Sequence, residues 1–434
     1  MDGERSVTGG RTTRRGFLAL AGASALAGCS ALDGVAGGSE PTIRAFDLPD
    51  VDEESLDDPV VAPAVPVDIG GEYLDGASDR IDELLDELPT PLGADAIPNG
   101  HVRERLHDAA DRATDGLDDA RGADTELAAL EALRRGRGDA RYAAAGWAYA
   151  DRGLSAESLR EARRETVSAA SSAQADHEYV GVDPVRAAVV RAEIERLLDR
   201  ATDDHPARPG GQGDLLAVAE WGEAAEAAEA ALADARHLDS QFGASLPADA
   251  GTVEATLRSA AETLFADVRS RRSDLPPEPT AEDWGLEERI RSEARREATL
   301  GTPRVGEAIG PASAVIDATE RLAWLDALDT LRERLDSGEI SQAESADDVR
   351  ALRSGAYGAI ETALTDAPAP DLARAILTDA SWRVTAGDRR LSQYSGDLSP
   401  TRLDDVVEEY AVATAFADAT VAACRQAVDA FETA

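Results

Sequence analysis

The stretch "HVRERLHDAAD", residues 101–111, brings together the residue types most able to do chemistry in this chain. If the segment is helical, His101, Glu104, Asp108 and Asp111 share one stripe, because residues three or four apart, and their multiples, return to the same face. A His-x-x-Glu pair can supply two metal ligands when other helices add further carboxylates. That makes His101 and Glu104 the candidate metal ligands. The same helix would place Val102, Leu106, Ala109 and Ala113 on the opposite side, which is also the pattern of a surface helix with a solvated polar face.

Other candidates are weaker. Glu220, Glu223, Glu226 and Glu229 in "EWGEAAEAAEAAL" stand three apart. Each step drifts around a helix, so they wind rather than converge, and solvation is the expectation. His177, His205 and His237 are isolated, and no Cys–His spacing suggests zinc. Gly-rich phosphate loops, a nucleophile elbow and H-E-x-x-H are missing. "PGGQGD", residues 209–214, precedes a helix whose start could take an anion, but it lacks the P-loop Lys and reads as a plain loop. Catalytic residues cannot be named, enzyme chemistry is not specified, and no cofactor is expected. Cys424 lies in an Ala- and Val-rich run with no base close by, so a buried, inert thiol is expected. Trp147, Trp221, Trp284, Trp324 and Trp382 are large anchors in a chain only 4% aromatic. Most should be core, whereas two or three lining one cleft would mark a binding site.

The elements that must position these residues are helices. After Glu72, apolar residues recur at three and four, and strand-like alternation is nearly absent. Ser155, Asp183-Pro184 and Ser399-Pro400 mark helix starts, since their side-chain oxygens can accept from orphan N–H groups. Stops fall at 205–213, 274–279, Asp336-Ser337-Gly338 and Ala367-Pro368-Ala369-Pro370. The fold class is all-α, about ten to twelve mostly antiparallel helices with Ala-rich packing. One helical domain over 72–434 is expected, with a hinge possible at 274–280. A regular helical repeat is not expected, because two similar Trp-to-helix segments (146–162 and 381–406) differ in spacing. Residues 29–71 are acidic and carry Pro41, Pro49, Pro59, Pro63 and Pro66. They read as a flexible tether, or, over 59–67, as an extended edge packed on the body.

Residues 13–29 read "TRRGFLALAGASALAGC". The apolar run Phe17–Ala27 is too short to span a bilayer, which takes about 20 residues. It fits the middle of an export signal that follows positive charge. Arg14 and Arg15 followed by Gly16, Phe17 and Leu18 resemble the twin-arginine export signal. Leu26-Ala27-Gly28-Cys29 resembles a lipobox. The resemblance implies a signal peptide over 1–28 and a lipid on Cys29, which ties the chain to the extracytoplasmic face of the cell membrane. The His-x-x-Glu of His101 and Glu104 is itself similar to the motif of imelysin-like exported all-α proteins, a family tied to iron uptake. Asn99 stands where that family has Gly.

Charge bounds the partners. The chain has 85 Asp and Glu against 44 basic residues, all Arg, and a formal net charge of −41. Such a charge opposes compaction at low salt and is screened in molar salt, where the Debye length falls to about 3 Å. The balance resembles proteins of salt-loving archaea, in which twin-arginine lipoprotein signals are common. Disorder conflicts with 43% hydrophobic residues and long periodic segments. Nucleic acid is excluded as a natural partner, because binding it depends on clustered positive charge. The function expected is a membrane-anchored binding or scaffolding module. The alternatives are an exported metal-binding protein or enzyme using His101 and Glu104, and a solute receptor with a Trp-lined cleft.

Overall fold

The computed structural model describes residues 42–51, 56, 59–89, 92–203, 213–276, 285–301 and 303–434. The leader, Cys29 and its lipobox, His205, Trp284 and most of the 274–280 stretch lie outside the described residues. The fold is all-α, as the periodicity predicts. Twelve α-helices are described: α1 (Gly71–Asp86), α2 (Gly100–Gly122), α3 (Glu126–Arg152), α4 (Ala156–Ala175), α5 (Pro184–Thr202), α6 (Asp214–Ser245), α7 (Glu254–Ser273), α8 (Leu286–Thr299), α9 (Pro311–Asp336), α10 (Ala346–Asp366), α11 (Pro370–Ser392) and α12 (Asp404–Glu432). Among the described residues, no helix is long and apolar enough to cross a membrane.

Helix starts follow local chemistry. The Ser155 hydroxyl accepts from the Ser158 amide, and the Asp183 carboxylate accepts from Val185 and Arg186, with Pro184 in the first turn. Asn99 and Thr125 cap α2 and α3, and Ser345 forms a reciprocal capping box with Asp348 at α10. Ser399 differs from expectation. Pro400 opens a 3₁₀ turn over Pro400–Leu403, so α12 starts at Asp404 and the Ser399 hydroxyl lies against Thr401 instead of capping a helix.

Helices α1–α6 pack as one group, with α3 against α1, α2 and α6, and α5 against α4 and α6. Helices α7–α12 pack as a second, with α12 against α9, α10 and α11. Small residues let the axes approach, as the Ala-rich composition implies. A Cβ on Gly116 of α2 would stand 3.1 Å from the Gly136 Cα of α3, so at that crossing only glycine fits comfortably. Cys424 is fully buried among the apolar residues of α12 and its neighbours. Two short antiparallel pairs tie off loops: β1 (Ile43–Arg44) with β4 (Asp397–Leu398), and β2 (Val180–Gly181) with β3 (Gly251–Thr252).

Buried charges specify the first group. Glu226 on α6, 3% exposed, accepts from Arg80 at 3.0 Å and Arg137 at 2.8 Å. Burial alone would push its carboxyl up, but the two guanidiniums hold it below the usual carboxylate range. The expected solvated ladder is therefore corrected most clearly at Glu226, which the winding turns inward onto α1 and α3, and Glu220 also has one carboxylate oxygen buried. Ion pairs at α8 depart from simple i,i+4 spacing. Arg291 pairs with Glu287 at 3.5 Å, but Arg289 reaches Asp405 and Glu408 on α12, and Glu293 pairs with Arg296 and Arg383. Acidic partners on the facing helix displace the i,i+4 pair.

The described part of the expected tether is a strap across both groups. Ile43, Leu48, Leu56, Val61 and Ile69 are buried. Proline removes N–H donors but leaves carbonyl oxygens to be satisfied, and the body's helices supply the donors. Arg350 donates to the Asp47 carbonyl at 3.0 Å, Arg389 to Leu56 at 2.5 Å, Arg374 to Ala62 at 3.4 Å and Arg186 to Pro66 at 2.8 Å. The Thr125 hydroxyl takes the Pro63 carbonyl. At the far end the Ile69 amide donates to Glu126 at 2.8 Å, and its carbonyl meets His237, whose ring stacks on Tyr73.

Candidate functional site

The two helix groups meet where α5 lies against α9. Glu195 of α5, 4% exposed, reaches the start of α9 and accepts from the Ala312 amide at 3.0 Å and the Ser313 amide at 2.7 Å. The first turn of a helix has N–H groups without intrahelical partners and carries the positive end of the dipole, so a carboxylate suits it. Burial, followed by the charge of Glu195, pushes the ionisation of the neighbouring Tyr179 up. Gly310 leaves the room this needs, since a Cβ there would collide with the carboxylate.

Beside this latch opens a cleft of about 270 Å³. Leu127 and Glu131 of α3, Val189, Ala192 and Arg196 of α5, and Pro63–Val65 of the strap form one side. Ile309, Ser313, Ile316, Asp317 and Glu320 form the other, with Ala375, Thr378 and Trp382 of α11. Ser313, Ile316, Asp317 and Glu320 stand at i, i+3, i+4 and i+7 of α9, so one helical stripe faces the cleft. Trp382 is 41% exposed and Ile309 39%, which places both among the exposed large apolar side chains of the described residues.

The polar groups of the cleft differ in how well they are matched. Arg196 is paired with Glu193. Glu320 accepts from Arg321 at 2.8 Å and from the Trp324 indole at 3.3 Å. Glu131 has Arg134 only at 3.9 Å, because that guanidinium bonds Asp234 at 2.9 Å. Burial raises the Glu131 carboxyl, and Glu193 adds to the rise. Asp317 keeps access to solvent yet is crowded by the cleft walls; burial raises its carboxyl, and Arg321 opposes the rise. Ser313 is 4% exposed, and its hydroxyl oxygen is buried without a hydrogen-bond partner. No histidine is among the lining residues. The site is therefore built for binding: apolar surface, an aromatic face and under-compensated acceptors.

A larger hollow of about 590 Å³ lies between α10, α12 and the 339–344 loop. Its Asp348 carboxylate is already engaged, accepting from the Glu344 and Ser345 amides as the α10 cap, and its lining has no aromatic ring. The smaller cleft is therefore the better candidate for a ligand site.

The structure places the sequence candidates as follows. His101, Glu104, Asp108 and Asp111 are exposed on α2, while Val102, Leu106, Ala109 and Ala113 are buried on its other side. Among the described residues, no group of three or more His, Cys, Asp and Glu could hold a metal ion. Trp324 is core, Trp147 and Trp221 are half-buried, and of the described tryptophans Trp382 alone lines the cleft. Sequence reasoning missed Glu131, Ser313, Asp317 and Glu195. The one available signal was the polar stripe on α9, which interrupts a helix otherwise core on most sides.

No curated protein and no solved structure matches the chain. Residues 72–249 match a family model described as Domain of unknown function (DUF8262), and residues 254–429 match one described as Domain of unknown function (DUF8264); the two spans meet ahead of the Pro-rich 274–280 stretch, and the cleft has walls from both.

Proposed function

We propose that the protein is a lipid-anchored extracytoplasmic binding module that takes a small organic ligand in the cleft between its two helix groups. The observation that carries the binding part is the exposed Trp382 ring lining one cleft with a polar stripe of α9, in a cleft with walls from two separately matched spans. Clefts between packed units are where small-molecule sites concentrate, because two surfaces can enclose a ligand that neither encloses alone. The anchor part rests on the leader, with Arg14, Arg15, Phe17 and Leu18 as export signal and Leu26-Ala27-Gly28-Cys29 as lipobox. The acidic surface suits a salt-rich exterior and turns nucleic acid away.

The test is thermal denaturation of the full chain against a library of small organic solutes in molar potassium chloride. A binding module gives hits that raise the melting temperature of the wild type and not of Trp382→Ala. Hits that shift both proteins equally, or a library without hits, would overturn the cleft as the site.

A further inference from the structure

We infer that the cleft selects an organic ammonium, whose apolar part lies on Trp382 and Ile309 and whose N–H groups meet Asp317 and the Ser313 hydroxyl, with Glu131 adding negative charge to the lining. The inference deepens the binding-module reading and rests on it.

Charge is the first argument. Placing carboxylates beside an aromatic ring and aliphatic walls is costly unless a cation compensates them. Three of the cations nearby are engaged by other acceptors: Arg196 pairs with Glu193, Arg134 with Asp234, and Arg321 with Glu320 while also donating to the Glu297 carbonyl. Glu131, largely buried with Arg134 only at 3.9 Å, and Asp317, open to solvent, lend negative charge to the lining of one hollow. The second argument is independent of these acids. The Ser313 hydroxyl sits in the same wall, 4% exposed and without a partner. Buried polar groups almost always have partners, so an orphan one in a cleft wall points to a ligand atom that supplies the bond. It stands one helical turn before Asp317 on the same stripe, so a single ammonium can address both.

The apolar half of the lining narrows the cation. A hard metal ion takes six or more oxygen ligands, whereas Trp382, Ile309, Ile316 and Val189 offer none. A cation with a hydrocarbon body uses both halves, and an aromatic face attracts positive charge as well. An anion would meet Asp317, Glu131 and Glu320 and is turned away. The volume of about 270 Å³ suits a compact molecule.

Isothermal titration of the full chain with benzylammonium, benzyl alcohol and benzoate, in one potassium chloride buffer, separates the possibilities. Benzylammonium should bind at least about tenfold more tightly than benzyl alcohol, the ratio that ~1.4 kcal/mol of charge recognition gives, with benzoate weakest. Asp317→Asn should erase the preference for benzylammonium over benzyl alcohol, and Trp382→Ala should weaken both. Asp317 is solvent-accessible, so its variant should fold, and circular dichroism checks this. Benzyl alcohol or benzoate binding as tightly as benzylammonium would overturn the ammonium assignment and leave the cleft as a site. Binding by none of the three, or binding untouched by Trp382→Ala, would overturn both.

Discussion

Replacing Glu195 with alanine removes the carboxylate that holds α9 against α5. Two amides, Ala312 at 3.0 Å and Ser313 at 2.7 Å, lose a charged acceptor at a buried position. Hydrogen bonds to charged groups contribute about 1.5–3 kcal/mol each, so the loss should fall at about 3–5 kcal/mol. Against a typical domain stability of about 5–15 kcal/mol that is a large fraction, readable as a lower urea midpoint with an unchanged slope. Gly310 supplies a control through the same atoms. A methyl there would push into Glu195 Oε1, Cδ and Oε2, so Gly310→Ala can be accommodated only by displacing the carboxylate from its amides. Gly310→Ala should therefore cost about 1–3 kcal/mol in the wild type and almost nothing in the Glu195→Ala background, a coupling of the size neighbouring groups show. A cost below about 1 kcal/mol for Glu195→Ala, or two costs that simply add, would refute the latch.

Further expectations follow from other buried groups. Glu226→Ala should destabilise by about 3–5 kcal/mol, because it strands Arg137 and Arg80 without their shared carboxylate, and urea titration measures this. His177 is driven down to about 4 by burial and then by Arg191. Below its unfolded value of about 6.5 the unfolded chain takes the proton first. Its contribution is thus present above that pH and lost on acidification towards 4, by about 3 kcal/mol, and His177→Gln should flatten that part of the stability curve. Burial pushes the Cys424 thiol up to about 12, so iodoacetamide should leave it unmodified in the folded chain and alkylate it once urea unfolds the protein.

Much of the helical body was legible because the information is local. Ser155 and Asp183-Pro184 announce α4 and α5, and the break at Ala367–Pro370 separates α10 from α11, since caps and prolines act within a turn. The strap was legible only over 59–67, where prolines allow an extended edge packed on the body, and illegible elsewhere for the opposite reason. Its prolines and acids look solvated, and the groups that satisfy its carbonyls, such as Arg350, Arg374 and Arg389, lie about 300 residues further along the chain. Glu226 shows the same limit: four Glu at equal spacing look alike in sequence, and only the positions of α1 and α3 decide which is buried. The cleft is wholly non-local. Glu131, Ser313 and Trp382 come from three helices, and nothing in the spacing of any one of them says that they face a common space.

The most direct measurement of the central proposal is mass spectrometry of the full-length gene product recovered from separated membrane and soluble fractions. The expected result is a membrane-bound chain whose first residue is Cys29 carrying the mass of a lipid, released to the soluble fraction by Cys29→Ser. Recovery of a soluble, intracellular chain with residues 1–28 still attached and Cys29 unmodified would contradict it.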